Sequence, residues 1–92
     1  MSANQMMLAE ECIASIESQT QTKIGGSFSV TYTLIHLTSP KSLYILTAEC
    51  GDEYEGICIG RDKARALKIL SLVCECGVFP HVLDETVREI EV

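Results

Sequence analysis

LYILTAECGDEYEGICI, residues 43–59, sets two strand-like runs around a Gly-Asp pair. Residues 43–50 and 53–59 carry the β-branched and aromatic side chains that suit a pleated surface, and Gly51-Asp52 suits a two-residue hairpin turn. Such a turn fixes the register. It places Cys50 opposite Glu53, Leu46 opposite Ile57, Ile45 opposite Cys58 and Tyr44 opposite Ile59. Side chains alternate along a strand, so Cys50 and Cys58 are expected on opposite faces and cannot bond to each other within the hairpin.

Toward the N-terminus, residues 28–37 (FSVTYTLIHL) read as a further strand. Phe28, Val30, Tyr32 and Leu34 fall on one face, and Ser29, Thr31, Thr33, Ile35 and Leu37 on the other. The turn chemistry of TSPKS, residues 38–42, ends it. Residues 1–24 admit two readings. Leu8, Ala9, Cys12, Ile13 and Ile16 fit a helical stripe, whereas SIESQTQTKI before Gly25-Gly26 fits a strand entering a hairpin. The strand is preferred for about residues 11–22, with residues 1–10 flexible. In that hairpin Gln19, Gln21 and Lys23 are expected opposite Tyr32, Val30 and Phe28, as on an edge strand of weakly specified register.

Toward the C-terminus, residues 62–76 (DKARALKILSLVCEC) predict a helix capped by Asp62. Ala66, Leu67, Ile69, Leu70, Val73 and Cys74 form its apolar face. Gly77 follows at the position glycine favours past a helix end. A second helix is expected from Pro80, burying Val82, Leu83, Val87 and Ile90. The intervening CECGVFPH, residues 74–81, has the residue types of a metal or redox site. Helical positions turn by ~100° each, however, so Cys74 and Cys76 point about 200° apart, and two ligands of one zinc must converge. Core cysteines at a helix–helix junction are the preferred reading; a metal site at Cys74, Cys76 and His81 is the alternative.

The chain has 92 residues, the size of a single domain. Hydrophobic residues make up 47% of it, ample for a core, yet no apolar run is long enough to cross a bilayer. With no signal-peptide pattern and five cysteines, the expected setting is the reducing cytoplasm. The net charge of −6 argues against nucleic acid. Arg61, Arg65 and Lys68, at helical spacing, form a solvated helix face or an anion patch. Glu49, Asp52, Glu53 and Glu55 lack the spacing of a calcium loop and read as a charged hairpin tip. No nucleophile, base and orienting group come together, and no phosphate loop is present, so no enzyme is expected.

The pattern formed by Tyr54, Gly56 and Ile59, followed by a helix and then CGVFPHVLDETVREI, resembles a small family of uncharacterised proteins from Clostridia and related Gram-positive anaerobes. The likeness spans residues 28–92 and includes Val78, Pro80, Leu83 and Val87. It implies a β-meander followed by helices in a bacterial protein. That family has no established activity, so the resemblance assigns no residue a role.

The expected fold is α+β: a three- or four-stranded antiparallel meander with two C-terminal helices packed on one face. One helical layer covers one sheet face only. Ile35, Leu37, Leu43 and Ile45 are expected on the other, where an exposed apolar patch marks a partner. The expected role is a non-catalytic interaction or regulatory module, acting through homodimerisation or a protein partner, without cofactor, nucleic acid or membrane. The alternative is a small-molecule or metal-binding domain using Cys74, Cys76 and His81 or the basic face of residues 62–76.

Overall fold

The computed structural model describes residues 13–39 and 41–91. Four strands, β1 (Ile13–Ile24), β2 (Phe28–Ser39), β3 (Leu43–Cys50) and β4 (Glu53–Gly60), form one antiparallel sheet in the order β1-β2-β3-β4. Helix α1 (Lys63–Cys76), a 3-10 turn (Pro80–Val82) and helix α2 (Leu83–Glu91) follow. The α+β meander with two C-terminal helices is therefore the observed architecture. Leu8, Ala9 and Cys12, and the expectation for residues 1–10, lie outside the described residues.

The helices cover the face that carries Val30, Tyr32, Leu34, Tyr44, Leu46, Ala48 and Ile59. Against it pack Ala66, Ile69, Leu70 and Val73 of α1, with Leu83 and Val87 of α2. Removing this apolar surface from water is the main favourable contribution to folding. Leu67, expected on the apolar face of α1, is exposed instead. The helix lies on the sheet along a narrower stripe than the composition offers, and Leu67 falls at its flank.

Both ends of α1 carry their own stop signals. The Asp62 carboxylate accepts from the Arg65 N–H at 3.3 Å, satisfying one of the free donors of the first turn. At the other end Gly77 adopts the left-handed conformation, φ 66°, ψ 55°. Its N–H donates to the Val73 and Cys74 carbonyls, and the Val78 N–H donates to Val73. A Cβ on Gly77 would also lie 3.3 Å from Ile24 Cγ1, a tight approach that the Ile24 side chain would have to relieve. Pro80 then opens the next turn and is fully buried. The Tyr32 hydroxyl crosses the core to donate to the Val78 carbonyl at 2.6 Å, tying the sheet to the junction between helices.

Two registers differ from expectation. Gln19, Gln21 and Lys23 lie opposite Thr33, Thr31 and Ser29, one residue away from Tyr32, Val30 and Phe28. The connection is the three-residue loop Gly25-Gly26-Ser27, with both glycines at positive φ, so Ile24 rather than Lys23 faces Phe28. A one-residue slip exchanges the faces of a strand. Here it sets polar side chains beside polar ones: the Gln19 amide donates to Thr33 Oγ1 at 2.9 Å, and that of Gln21 to Thr31 Oγ1 at 3.4 Å. In the second hairpin Cys50–Glu53, Leu46–Ile57 and Ile45–Cys58 pair as expected, but Tyr44 pairs with Gly60. The extra residue, Ile59, enters the core where Gly60 (φ 114°) turns the chain toward α1.

Candidate functional site

The uncovered face of the sheet is divided lengthwise. At one end the strands place Ile16, Ile35, Ile45 and Cys58 in a row, with Ala14, Leu37 and Leu43 in the row beside it. Ile35, Leu37, Leu43 and Ile45, named from the sequence on separate strands, thus stand side by side, each half-buried by its neighbours. At the other end Gln19, Gln21, Thr31, Thr33, Thr47 and Glu49 make the surface mainly polar, with exposed Tyr54 beside Glu49 on β4, and the small Thr33 and Thr47 are themselves buried beneath their neighbours.

A β-bulge completes the apolar end. The β1–β2 ladder runs from Ile16–Ile35 directly to Ser18–Leu34, leaving Glu17 as the extra residue. Without it, Ala14, Ile16, Thr20 and Thr22 would share one face. With it, Ala14 and Ile16 turn to the open side while Thr20 and Thr22 turn to the helices. Thr22 Oγ1 donates to the Cys74 carbonyl at 3.4 Å. Glu17 meets Lys63 of α1, Oε2 to Nζ 3.1 Å, and that contact raises the lysine pKa. Ile16 remains 62% exposed. No periodicity in SIESQTQTKI marks the bulge, so the sequence reading omitted Ile16 and Ala14 from this surface.

The remaining sequence candidates separate. Cys74 is half-buried against the core, and burial pushes its thiol pKa up. Cys76, across the helix, is exposed, which corrects its reading as a core cysteine. Cys50 is half-buried on the helix side and Cys58 exposed on the open side, the opposite faces expected of them. His81 Nδ1 lies 3.3 Å from Glu53 Oε1, so its nearest polar partner is a carboxylate of the hairpin tip. Among the described residues, no three of histidine, cysteine, aspartate and glutamate gather as metal ligands. Arg61 precedes the cap at Asp62, so helical spacing relates only Arg65 and Lys68; all three are exposed. His36 sits at the sheet rim, its ring stacked on Tyr44 at 4.4 Å and its Nε2 3.1 Å from Ser42 Oγ.

Comparison with protein-family models, with curated proteins and with solved structures finds no match. Among the described residues, no helix is long and apolar enough to cross a membrane.

Proposed function

We propose that this chain is a small, non-catalytic interaction or regulatory module of the bacterial cytoplasm that works by pairing its open sheet face with a second copy. One observation carries the reading: the row Ile16, Ile35, Ile45 and Cys58, flanked by Ala14, Leu37 and Leu43, is one contiguous apolar surface with no described element over it. Contiguous exposed apolar area of this kind marks contact surfaces.

Area favours a second copy using the whole face. Strands about 4.8 Å apart and same-face side chains about 6.8 Å apart give a face of about 550 Å² per copy. Two such faces together approach the lower bound of roughly 1,200 Å² for a specific interface, whereas the apolar end alone falls well short. With the two-fold axis along the strands, apolar end meets apolar end and polar end meets polar end, in the aligned packing of a β-sandwich.

Sedimentation velocity over a dilution series tests this. The chain is expected to be a dimer that dissociates on dilution, and Ile45→Lys to weaken it at least ~30-fold by burying an unpaired charge while leaving the circular dichroism unchanged. A monomer at every concentration, unaltered by Ile45→Lys, would refute the pairing. Native mass spectrometry under reducing conditions excludes a disulfide through Cys58 as the source of any dimer.

A further inference from the structure

The chain has two phenylalanines, and the fold brings both to one place away from the open face. Phe28 opens β2 and Phe79 lies in the connection between α1 and the 3-10 turn. Their rings meet edge to face, centroids 5.8 Å apart and planes at 84°. Burial in the core would return the most from such residues, yet Phe28 is 56% exposed. His81 continues the row, its ring 6.0 Å from that of Phe79 and inclined by 18°. Glu53 ends it, its carboxylate beside His81 Nδ1.

A cleft of about 310 Å³ runs along this row, lined by Phe28, Cys50, Glu53, Phe79 and His81. It shares Glu53 and His81 with a second recess of about 350 Å³, which Asp52, Tyr54, Glu55 and Pro80 also line. Each is the size of a small ligand site. The first offers chiefly aromatic surface; the second adds the Asp52 and Glu55 carboxylates.

We propose that this cleft binds a small organic ammonium ion with an aromatic body, the ammonium held by Glu53 and the body set against Phe28 and Phe79. The negative face of an aromatic ring attracts a cation, and a carboxylate at the end of the aromatic row places the charge. An anionic ligand meets Asp52, Glu53 and Glu55 together, in a chain of net charge −6. A neutral apolar ligand would cover Glu53 without satisfying it. His81 is the present partner of Glu53, but both side chains are more than half exposed. A contact so open to water is weak, and an ammonium can displace the imidazole at small cost.

The test is a nuclear magnetic resonance titration of the full chain with three probes. Phenethylammonium supplies both features, 2-phenylethanol only the ring, and N-acetyl-lysine methylamide an ammonium on an aliphatic chain. Phenethylammonium is expected to saturate, with shifts centred on Phe28, Glu53, Phe79 and His81, and to bind at least ~5-fold more tightly than 2-phenylethanol. Glu53→Gln should remove that difference while leaving 2-phenylethanol binding unchanged, and Phe28→Ala should weaken both aromatic probes. Both positions are exposed, so both variants keep the fold. Absence of saturation, equal binding of the ammonium and the alcohol, or indifference to Glu53→Gln overturns the proposal. Equal binding of the lysine derivative overturns the aromatic class and assigns the cleft to protein ammonium groups instead.

Discussion

Tyr32 shows how much one side chain does here. Its ring is fully buried and its hydroxyl donates to Val78. Burial first, and the Cys74 thiolate second, push its pKa up to about 12. The unfolded phenol ionises near 10, so between pH 10 and 12 the unfolded chain binds fewer protons than the folded one, and stability falls as pH rises. The slope approaches about 1.4 kcal/mol per pH unit. Chemical denaturation at stepped pH should show this decline. Tyr32→Phe should cost about 1–2 kcal/mol at neutral pH by orphaning the Val78 carbonyl, and its stability should decline less between pH 10 and 12. Gly77 was identifiable from its place after an apolar helix; its contact with Ile24 was not, because nothing local links residues so far apart. Gly77→Ala should destabilise by about 1–2 kcal/mol from the left-handed backbone and further from the 3.3 Å approach to Ile24 Cγ1. Gly25→Ala, with similar φ and open space around it, isolates the backbone part. The difference between their urea midpoints measures the packing.

At the scale of elements, the hairpin of residues 43–59 was readable from its Gly-Asp turn as far as Ile45–Cys58, beyond which the extra residue Ile59 sets Tyr44 opposite Gly60. The β1–β2 hairpin was not, because Gly-Gly-Ser admits two- and three-residue connections and the polar strand supplies no apolar alternation to choose between them. The bulge at Glu17 was invisible for the same reason, and with it the contribution of Ile16 to the open face. Of the surface itself, Ile35, Leu37, Leu43 and Ile45 were legible from strand alternation alone; the aromatic row of Phe28, Phe79 and His81 needed the tertiary fold. The elements also sort the thiols. Among the described cysteines, exposed Cys76 should alkylate quickly with iodoacetamide, Cys58 quickly only at dilutions that leave the open face unpaired, and Cys74 slowest, since burial both shields it and lowers its thiolate fraction. Peptide mapping after timed quenching gives the order.

Across the whole molecule, a thin single core carries the fold, and its stability and its association are expected to be linked. Pairing through the open face stabilises the folded form by mass action, so the melting temperature should rise with protein concentration. Ile45→Lys should abolish that rise, a result readable by scanning calorimetry. The strand order β1-β2-β3-β4 has another consequence, for the order of events during synthesis. Every strand pairs with its neighbour in the chain, so the sheet closes by short loops and can assemble early. The helices that shelter Tyr32, Leu34 and Leu46 are translated after all four strands. While they are being made, the nascent sheet shows its core face and the apolar end of its open face at once, and its long β1 edge has no outer neighbour among the described residues. The interval before α1 emerges is thus the one in which this chain is most exposed to capture by another nascent copy.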